Sequence, residues 1–399
     1  MKNRSATAAY ALIHAMLWCV YGFLFSYANP YLTEQLRFSN TAAGLILGIA
    51  TALSFALQPI LTAVVDRTGL NVKKVSFFCA LLTAVCAALT LLHLEKNTTM
   101  LLFAASCVCL QVLPSFANAL GMEGIRGGQS INFGLARGIG SVCFGLSARL
   151  ASPLISAMGM DAVALSGALS AAVLALAIAF FPKNPLRADR KNAEKPTSAR
   201  QFFREEPKFL LLLFGVILLY IGHNVLSNCM YRIAESKLSD AAQDTVTEAQ
   251  GTALLIAAVA ELPMMFLFTK LVRRVRCDVW LLLSAVFMTL RVLLTLVLPT
   301  ASGLYAAQLS QALGYALFAV ASVYYVGSVI AEKNVVKGQT YLGACNTLGC
   351  LLAYVLGGSL IDRLGVEDML LVCAVLSAVG VACLRGGLRE VKETVGTGA

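Results

Sequence analysis

The chain has 399 residues, of which 58% are hydrophobic and 13% charged, with a formal net charge of +10 and a mean hydropathy of +0.77. Soluble domains are far less apolar and carry about twice this share of charged residues, so the composition excludes an ordinary soluble protein. Backbone groups must be hydrogen-bonded internally inside a bilayer, and the apolar runs are too long and uniform for a β-barrel. The sequence therefore predicts a helical membrane protein.

Twelve apolar runs long enough to cross a bilayer as helices follow one another along the chain. We expect spans one to six at 8–31, 41–65, 74–94, 100–121, 133–157 and 160–181, and spans seven to twelve at 208–230, 249–272, 279–299, 303–330, 338–360 and 367–384. A charged stretch separates the two sets. The predicted fold class is an all-α membrane protein with twelve transmembrane helices in two six-helix bundles around a central cavity, organised as bundle 1–182, cytoplasmic linker 183–207 and bundle 208–399.

Basic residues are distributed unevenly between the two sets of loops. The loops on one side, including the charged stretch between the bundles, carry most of them, and the other side offers only Arg37, Lys96, Arg232, Lys237 and Arg363. The positive-inside rule then places both termini and the linker in the cytoplasm. Short loops without a eukaryotic targeting signal favour a bacterial inner membrane. Because the charges are scattered and form no continuous patch, the sequence predicts no nucleic-acid partner.

Some internal similarity suggests a duplication of six helices. Gly128-Gln129 before span five recurs as Gly338-Gln339 at the start of span eleven, and Gly134, Gly138 and Gly140 in span five are answered by Gly343 and Gly349 in span eleven. Matching Gly134 with Gly343 places Arg137 opposite Asn346. A parallel duplication predicts a solute site near the membrane midplane between the halves. The alternative interpretation is that small residues recur wherever membrane helices pack closely.

Uncharged polar and aromatic residues form stripes on four predicted helices. Their members are Tyr220, Asn224, Ser227 and Tyr231 with His223 and Asn228 in span seven, Gln308, Gln311, Tyr315 and Ser322 in span ten, Gln111, Ser115, Asn118 and Met122 in span four, and Tyr10, His14 and Tyr21 in span one. Such stripes suit a wet cavity, although hydrogen bonds between helices would also explain each one. Phe144 and Trp18 could stack on a ring of the solute or simply fill space.

Ionisable residues inside the spans cost at least about 2.5 to 3.5 kcal/mol each, so each needs a partner or a water-filled cavity. They are Arg137, Arg149, Glu261 and Arg291, with Glu123 at the end of span four. The guanidinium of Arg137 can bind two hydroxyls or a carboxylate at fixed geometry, or it could extend to the cytoplasmic surface. Burial favours a neutral carboxyl group at Glu261, which suits proton binding or solute contact, and Arg291 is its expected charge partner. Glu123 is the second candidate for proton coupling.

Two groups of motifs resemble a known transporter family. Asp66-Arg67-Thr68-Gly69 with Lys73-Lys74 resembles the cytoplasmic signature loop of the major facilitator superfamily, with Thr62 where a glycine usually leads. Further similarity to the oligosaccharide:proton symporters, the lactose permease group, lies in Gly44-Leu-Ile-Leu-Gly48, Gln58-Pro59, Phe133-Gly134-Leu-Ala-Arg137, Glu261 and Arg291. The resemblance implies a gating loop at Asp66, Arg67 and Gly69, a sugar-binding Arg137, and Phe144 where the group has its sugar-stacking tryptophan.

The departures from this group concern its specificity and coupling residues. Ala119 replaces a sugar-binding glutamate, and Gln311 and Gly314 replace the coupling histidine and glutamate. Both members of two intramembrane ion pairs are also absent, since Asn224, Ser227, Gly349 and Gln308 stand at their positions. The loss of both partners leaves no unpaired charge. Galactoside specificity is therefore not implied.

We expect a secondary active transporter of a small polar solute, saccharide or nucleoside-like, working by alternating access and as a proton symporter. The expected solute-binding residues are Arg137, Glu261, Phe144, Asn118, His223, Asn224, Gln311 and Tyr315; the expected coupling residues are Glu261, Arg291 and Glu123. A proton-driven exporter of amphipathic compounds and an uncoupled facilitator remain open. Neither HExxH nor GxxxxGK[ST] occurs, so we expect no enzyme, ATP-driven pump, metal or cofactor. The resemblance implies a monomer.

Overall fold

All regular structure in the described part of the chain is helical. The computed structural model describes residues 2–68, 71–182, 198–238, 241–271, 274–331 and 334–390, and no β-strand occurs in them. Eleven helical stretches of these residues are long and apolar enough to cross a membrane. The 29-residue helix Gln243–Leu271 occupies the remaining predicted position, span eight. The predicted class of helical membrane protein is confirmed.

Spans one to six each correspond to one helix or a run of helical turns. Span one begins as Lys2–Val20 and continues through π-helical turns at Tyr21–Phe25 and Tyr31–Gln35 with the short helix Ala28–Pro30 between them. The other five are Asn40–Thr68, Val72–Leu89 with a 3₁₀ turn at Thr90–Leu92, Lys96–Arg126, Phe133–Met158 and Asp161–Phe180. Two successive π turns inside one membrane helix are uncommon, and such turns often lie at functional sites.

Spans seven to twelve follow the short helix Ala199–Glu205. They are Pro207–Asn228 followed by Met230–Lys237, then Gln243–Leu271, Cys277–Val297, the composite span ten, Val335–Leu364 and Val366–Gly387. Span ten consists of Ala301–Gln308, a 3₁₀ turn Leu309–Gln311, a π turn Ala312–Ala316 and Leu317–Val329. The sequence predicted a single helix here. The change of winding falls at the polar residues of this span.

The chain divides into two compact units. The first contains Met1–Arg190 with Ala241–Leu255, and the second contains Lys191–Asp240 with Ile256–Ala399. The first part of span eight is therefore grouped with the first unit. Most of the expected linker 183–207 lies outside the described residues, so the proposed boundary between bundles stays a prediction.

The two units repeat the same pattern of helix packing. In the first unit span one packs against spans five and six, and span three against spans four and six. In the second unit span seven packs against spans eleven and twelve, and span nine against spans ten and twelve. The second set equals the first with six added to each number. This correspondence supports a duplicated six-helix unit.

The outer helices carry apolar side chains on their open faces. In span two, Leu45, Ile49 and Leu53 follow one another by one helical turn and are all exposed, whereas Leu47 and Ala50 on the other face are buried. A stripe of large exposed aliphatic residues would be unfavourable in water and is expected in contact with lipid tails.

Candidate functional site

A buried arginine organises a network of polar side chains in the second unit. Arg291, on span nine, is 2% exposed. It donates to Oε1 of Gln308 from Nε at 3.0 Å and from Nη2 at 2.5 Å. Its Nη1 donates to Oε1 of Gln311 at 2.5 Å. Neutral amide oxygens thus bind a cation that is removed from solvent.

His223 of span seven completes the surroundings of this guanidinium. Its Nδ1 lies 3.2 Å from Nη1 of Arg291. A guanidinium can only donate hydrogen bonds, so Nδ1 must be the acceptor, which places the ring hydrogen of a neutral imidazole on Nε2. The ring also stacks on Tyr315, with centroids 4.5 Å apart and planes 9° from parallel.

Gln311 connects the arginine to the membrane-embedded carboxylate. While its Oε1 accepts from Arg291, its Nε2 donates to Oε1 of Glu261 at 2.8 Å. The sequence predicted Glu261 and Arg291 as charge partners. In the structure the neutral side-chain amide of Gln311 lies between them and is hydrogen-bonded to both. We call Arg291, Gln308, Gln311, Glu261 and His223 the polar cluster.

The irregular winding of span ten presents both glutamines to span nine. Gln308 ends one helix and Gln311 ends the 3₁₀ turn three residues later, a spacing that eclipses side chains in a 3₁₀ geometry. The amide of Gln308 is fixed by its own bond from Nε2 to the carbonyl of Leu304 at 3.1 Å. Sequence analysis did not select Gln308 as a site residue; its spacing from Gln311 was the available signal.

Asn224, predicted to bind solute, joins two helices. Its Nδ2 donates to the carbonyl of Tyr220 at 2.8 Å and to Oδ1 of Asn346 at 3.2 Å. This contact connects span seven to span eleven and uses both hydrogens of the amide group. The described geometry therefore gives Asn224 a bonding role between helices, beside His223 on the same span.

Arg137 is held at the start of span five in the first unit. The side chain of Asn132 caps this helix by accepting from the backbone N–H of Leu135 at 3.0 Å. The hydroxyl of Thr7 in span one accepts from the N–H of Asn132 and donates to the carbonyl of Ser130. Arg137 itself is half-buried and makes no side-chain hydrogen bond in the described part of the chain. Its five donors remain available to a ligand.

Aromatic rings line the contact between spans one and five. The ring centroids of Tyr10 and His14 are 4.8 Å apart, and each lies 6.0 Å from that of Phe133. Further along, Trp18 meets Phe144 edge to face at 6.2 Å. We call these five side chains the aromatic seam. Arg137 follows Phe133 by four residues on the same face of span five, so its charge lies close to the seam.

His14 is the buried polar member of the aromatic seam. It is 2% exposed, and neither ring nitrogen has a hydrogen-bond partner among the described residues. A buried polar group without a partner requires an explanation. Sequence analysis had placed His14 only in the polar stripe of span one.

Part of the polar stripe of span four is used in hydrogen bonds to a neighbouring helix. Ser115 donates to Oε1 of Gln58, and Nε2 of Gln58 donates to the carbonyl of Gln111. These contacts join spans two and four, as the alternative interpretation predicted. Asn118 is half-buried and makes no side-chain hydrogen bond within the described residues, and Glu123 is half-buried near the end of its helix.

The structure describes only part of the predicted gating loop. Asp66 and Arg67 lie in the last turn of helix Asn40–Thr68, but their side chains and all of Gly69 lie outside the described residues. The role of these residues stays a prediction.

An ion pair in the first unit was not predicted. Arg149 of span five pairs with Glu248 near the start of helix Gln243–Leu271. Beside it, Nε2 of Gln250 donates to the carbonyl of Ser26 at 2.8 Å, and a Cβ at Gly251 would lie 2.7 Å from the carbonyl oxygen of Ala148. The partners are 99 residues apart, so no local pattern could reveal them.

Comparisons with known proteins agree with this architecture. The family described as "MFS_1 like family" matches residues 8–372. The chain is 24% identical over 380 residues to a maltose permease of Geobacillus stearothermophilus, covering 94% of this chain and 93% of that protein.

Solved structures show the same fold. The nucleoside transporter NupG matches with a TM-score of 0.80 and 16% identity, over 96% of this chain and 99% of that one. A bacterial homologue of the human lysosomal transporter Spinster matches with a TM-score of 0.71 and 14% identity, over 97% of both chains. The predicted fold class of twelve transmembrane helices in two bundles is confirmed.

Proposed function

Because this chain belongs to the MFS_1 like family, we propose that it is a secondary active transporter that moves a small polar solute by alternating access, in symport with protons. We propose further that the solute is a saccharide or a nucleoside-like molecule and that the protein performs no chemical reaction on it. The names of the similar proteins, a maltose permease and a nucleoside transporter, support this class of solute.

The polar cluster is the observation that carries the proposal. A buried arginine needs acceptors, and a carboxylate directly against it would satisfy both charges. Here Gln311 both accepts from Arg291 and donates to Glu261. A solute hydroxyl is also a donor and an acceptor, so it can take over either bond when it binds. The arrangement suits a molecule rich in hydroxyl groups.

Each unit contributes its own proposed solute-binding residues. In the second unit these are Glu261, Gln311, His223, Tyr315 and Asn224. In the first unit they are Arg137, Phe144 and Asn118. We propose Glu261 as the first proton-coupling residue, with Arg291 as its electrostatic partner, and Glu123 as the second.

Orientation and assembly remain part of the proposal. The basic loops support cytoplasmic termini in a bacterial inner membrane, and the gating role of Asp66, Arg67 and Gly69 follows from the resemblance of that loop. We propose that the transporter works as a monomer of two six-helix bundles joined by the segment 183–207.

External pH in lightly buffered, energy-depleted cells tests solute and coupling together. Saccharides and nucleosides are added one at a time, and alkalinisation specific to one compound identifies a symported solute. Glu261→Gln should abolish alkalinisation and uphill accumulation while exchange continues, since the amide keeps hydrogen bonding but binds no proton. Asp244→Asn is the matched control, an exposed carboxyl on the same helix, and should behave like the wild type.

Two results would count against this proposal. Uphill accumulation by Glu261→Gln would remove its coupling role. Silence of the wild type across the whole panel, together with flat uptake of radiolabelled solutes, would instead contradict import of saccharides and nucleosides and favour export.

The role of Arg137 is tested against the other arginine of span five. Arg137→Ala should lose solute binding in correctly inserted protein, because its guanidinium donors have no partner in the described residues. Arg149→Ala should retain binding, because Arg149 pairs with Glu248. If Arg137→Ala and the wild type bind the solute with equal affinity, Arg137 is not part of the solute site.

A further inference from the structure

Trp18 is a large aromatic side chain seated on the backbone of a neighbouring helix. A Cβ at Gly140 of span five would overlap Cδ1 of the indole and lie 3.0 Å from its Nε1. Any side chain at position 140 would therefore displace the ring. The glycine fixes one edge of the indole against span five while the residue as a whole remains half-buried.

Among the residues that the structure describes, no parallel ring covers the face of this indole. Phe144 meets it at an interplanar angle of 86°, and Tyr21 lies 5.1 Å away at 41°. The side chain of Trp18 also makes no hydrogen bond within the described residues. Since Trp18 is only half-buried, part of its ring and its N–H donor can contact a ligand.

Hydrogen-bonding groups lie along the same seam, within about one helical turn of the indole. His14 precedes Trp18 by four residues on span one, and its ring nitrogens have no partner in the described chain. On span five, Arg137 lies between Phe133, which meets His14, and Gly140, which meets Trp18. Residues three and four apart on a helix share a face.

The second unit also has a close contact between an aromatic residue of its first helix and the matched glycine of its fifth. Gly140 becomes Gly349 when Gly134 is matched with Gly343, and a Cβ at Gly349 would lie 2.5 Å from Cβ of Tyr220 on span seven. Tyr220 lies edge to face with both His223 and Tyr315. In both units a glycine of the fifth helix allows close contact with an aromatic residue of the first helix, through the indole ring of Trp18 in one unit and through the Cβ and backbone of Tyr220 in the other.

We propose that the indole of Trp18 is a stacking surface for the transported solute and that Arg137 and His14 bind the polar edge of the same ring. The inference rests on the proposed function and names its ligand more closely as a ring with one apolar face and an edge of hydroxyl or base hydrogen-bonding groups. A pyranose and a nucleobase share this chemistry. Phe144 then forms a wall perpendicular to the indole.

The two tryptophans of the chain allow a direct test. Trp280→Phe leaves Trp18 as the single tryptophan, so fluorescence of the purified full-length protein in proteoliposomes reports on that indole. Titration with maltose in one arm and with uridine or adenosine in another should change the emission saturably for the bound class only. The arms therefore separate a saccharide from a nucleoside.

Binding affinities complete the test. Trp18→Leu should weaken solute binding about tenfold or more, in line with the loss of one stacked ring, and Trp18→Tyr should restore most of it. Gly140→Ala keeps the indole but displaces it from its position against span five, so this variant should also weaken binding. Gly134→Ala is its control on the same helix, because a Cβ there meets only Oδ1 of Asn132 at 3.8 Å.

The outcomes distinguish this inference from the proposed function. Solute binding by the wild type with unchanged affinity in Trp18→Leu, or saturable uptake by Trp280→Phe without any change in its fluorescence, overturns the role of Trp18 alone. If Trp18→Leu does not fold, the fluorescence titration and Gly140→Ala still decide. Absence of binding and uptake of every compound by the wild type overturns the proposed function and this inference together.

Discussion

The contact between spans one and five in the first unit and that between spans seven and eleven in the second both depend on a close approach at a glycine, but they differ in chemistry. Gly140 leaves room for the indole ring of Trp18, whereas Gly349 leaves room for the Cβ and backbone of Tyr220. In the first unit Arg137 keeps its donors free of described partners, whereas at the matched position Asn346 is bonded to Asn224. Helix packing was therefore kept while the polar groups diverged.

The difference teaches how each unit tolerates a cation. Arg291 in the second unit is removed from solvent and depends on three neutral acceptors at once. Arg137 is half-buried, so water or a ligand can satisfy it at lower cost. We expect substitutions near Arg291 to act first on stability and substitutions near Arg137 to act first on binding.

The largest expected effect follows from removing the main acceptor of Arg291. Gln308→Leu deletes two hydrogen bonds to a buried cation and should lower the free energy of unfolding by about 3 to 5 kcal/mol. Thermal unfolding in mild detergent measures the loss. The double variant Arg291→Met with Gln308→Leu removes the charge along with its acceptor and should recover much of it. Equal stability of the single and double variants would show that Gln308 does not compensate the charge.

A smaller effect is expected at the glycine contact of the second unit. Gly349→Ala forces a Cβ against Tyr220 and should destabilise the protein by about 1 to 3 kcal/mol through overpacking. Gly343→Ala, on the same helix, places its Cβ where no atom lies within 4 Å, and should be neutral or stabilising by up to about 1 kcal/mol. Parallel thermal unfolding curves compare the two. Similar losses of stability in both variants would show that Gly349 is not required for the close approach of the two helices.

The smallest effect is expected at the ion pair of the first unit. The side chains of Arg149 and Glu248 are 33% and 56% exposed, so their attraction is screened and contributes about 0 to 1 kcal/mol. Arg149→Gln and Glu248→Gln should each shift the unfolding temperature slightly, and added salt should reduce the difference from wild type. The charge-swapped double variant should match the wild type. A loss above about 2 kcal/mol would reveal a role beyond surface electrostatics.

Several site residues were predictable because they break the apolar pattern of a span. Arg291, Glu261 and Gln311 stand out as polar groups in hydrocarbon-length runs, and the structure connects all three. Gln308 was less visible, since it was one of several polar residues in the stripe of span ten and the resemblance marked it as a lost lysine position. The contact of Trp18 with Gly140 was not predictable, because the sequence of one helix does not indicate which residues of another helix it will face.

The sequence by itself determined that the chain is a membrane protein and that its regular structure is helical. Both follow from a one-dimensional quantity, the length of the apolar runs, which the bilayer converts directly into structure. Only the tertiary structure decided which polar groups meet. The bonds of Arg291 to Gln308 and His223 join residues 17 and 68 positions apart, and the turns of span ten that aim both glutamines at the arginine depend on packing that local sequence does not encode.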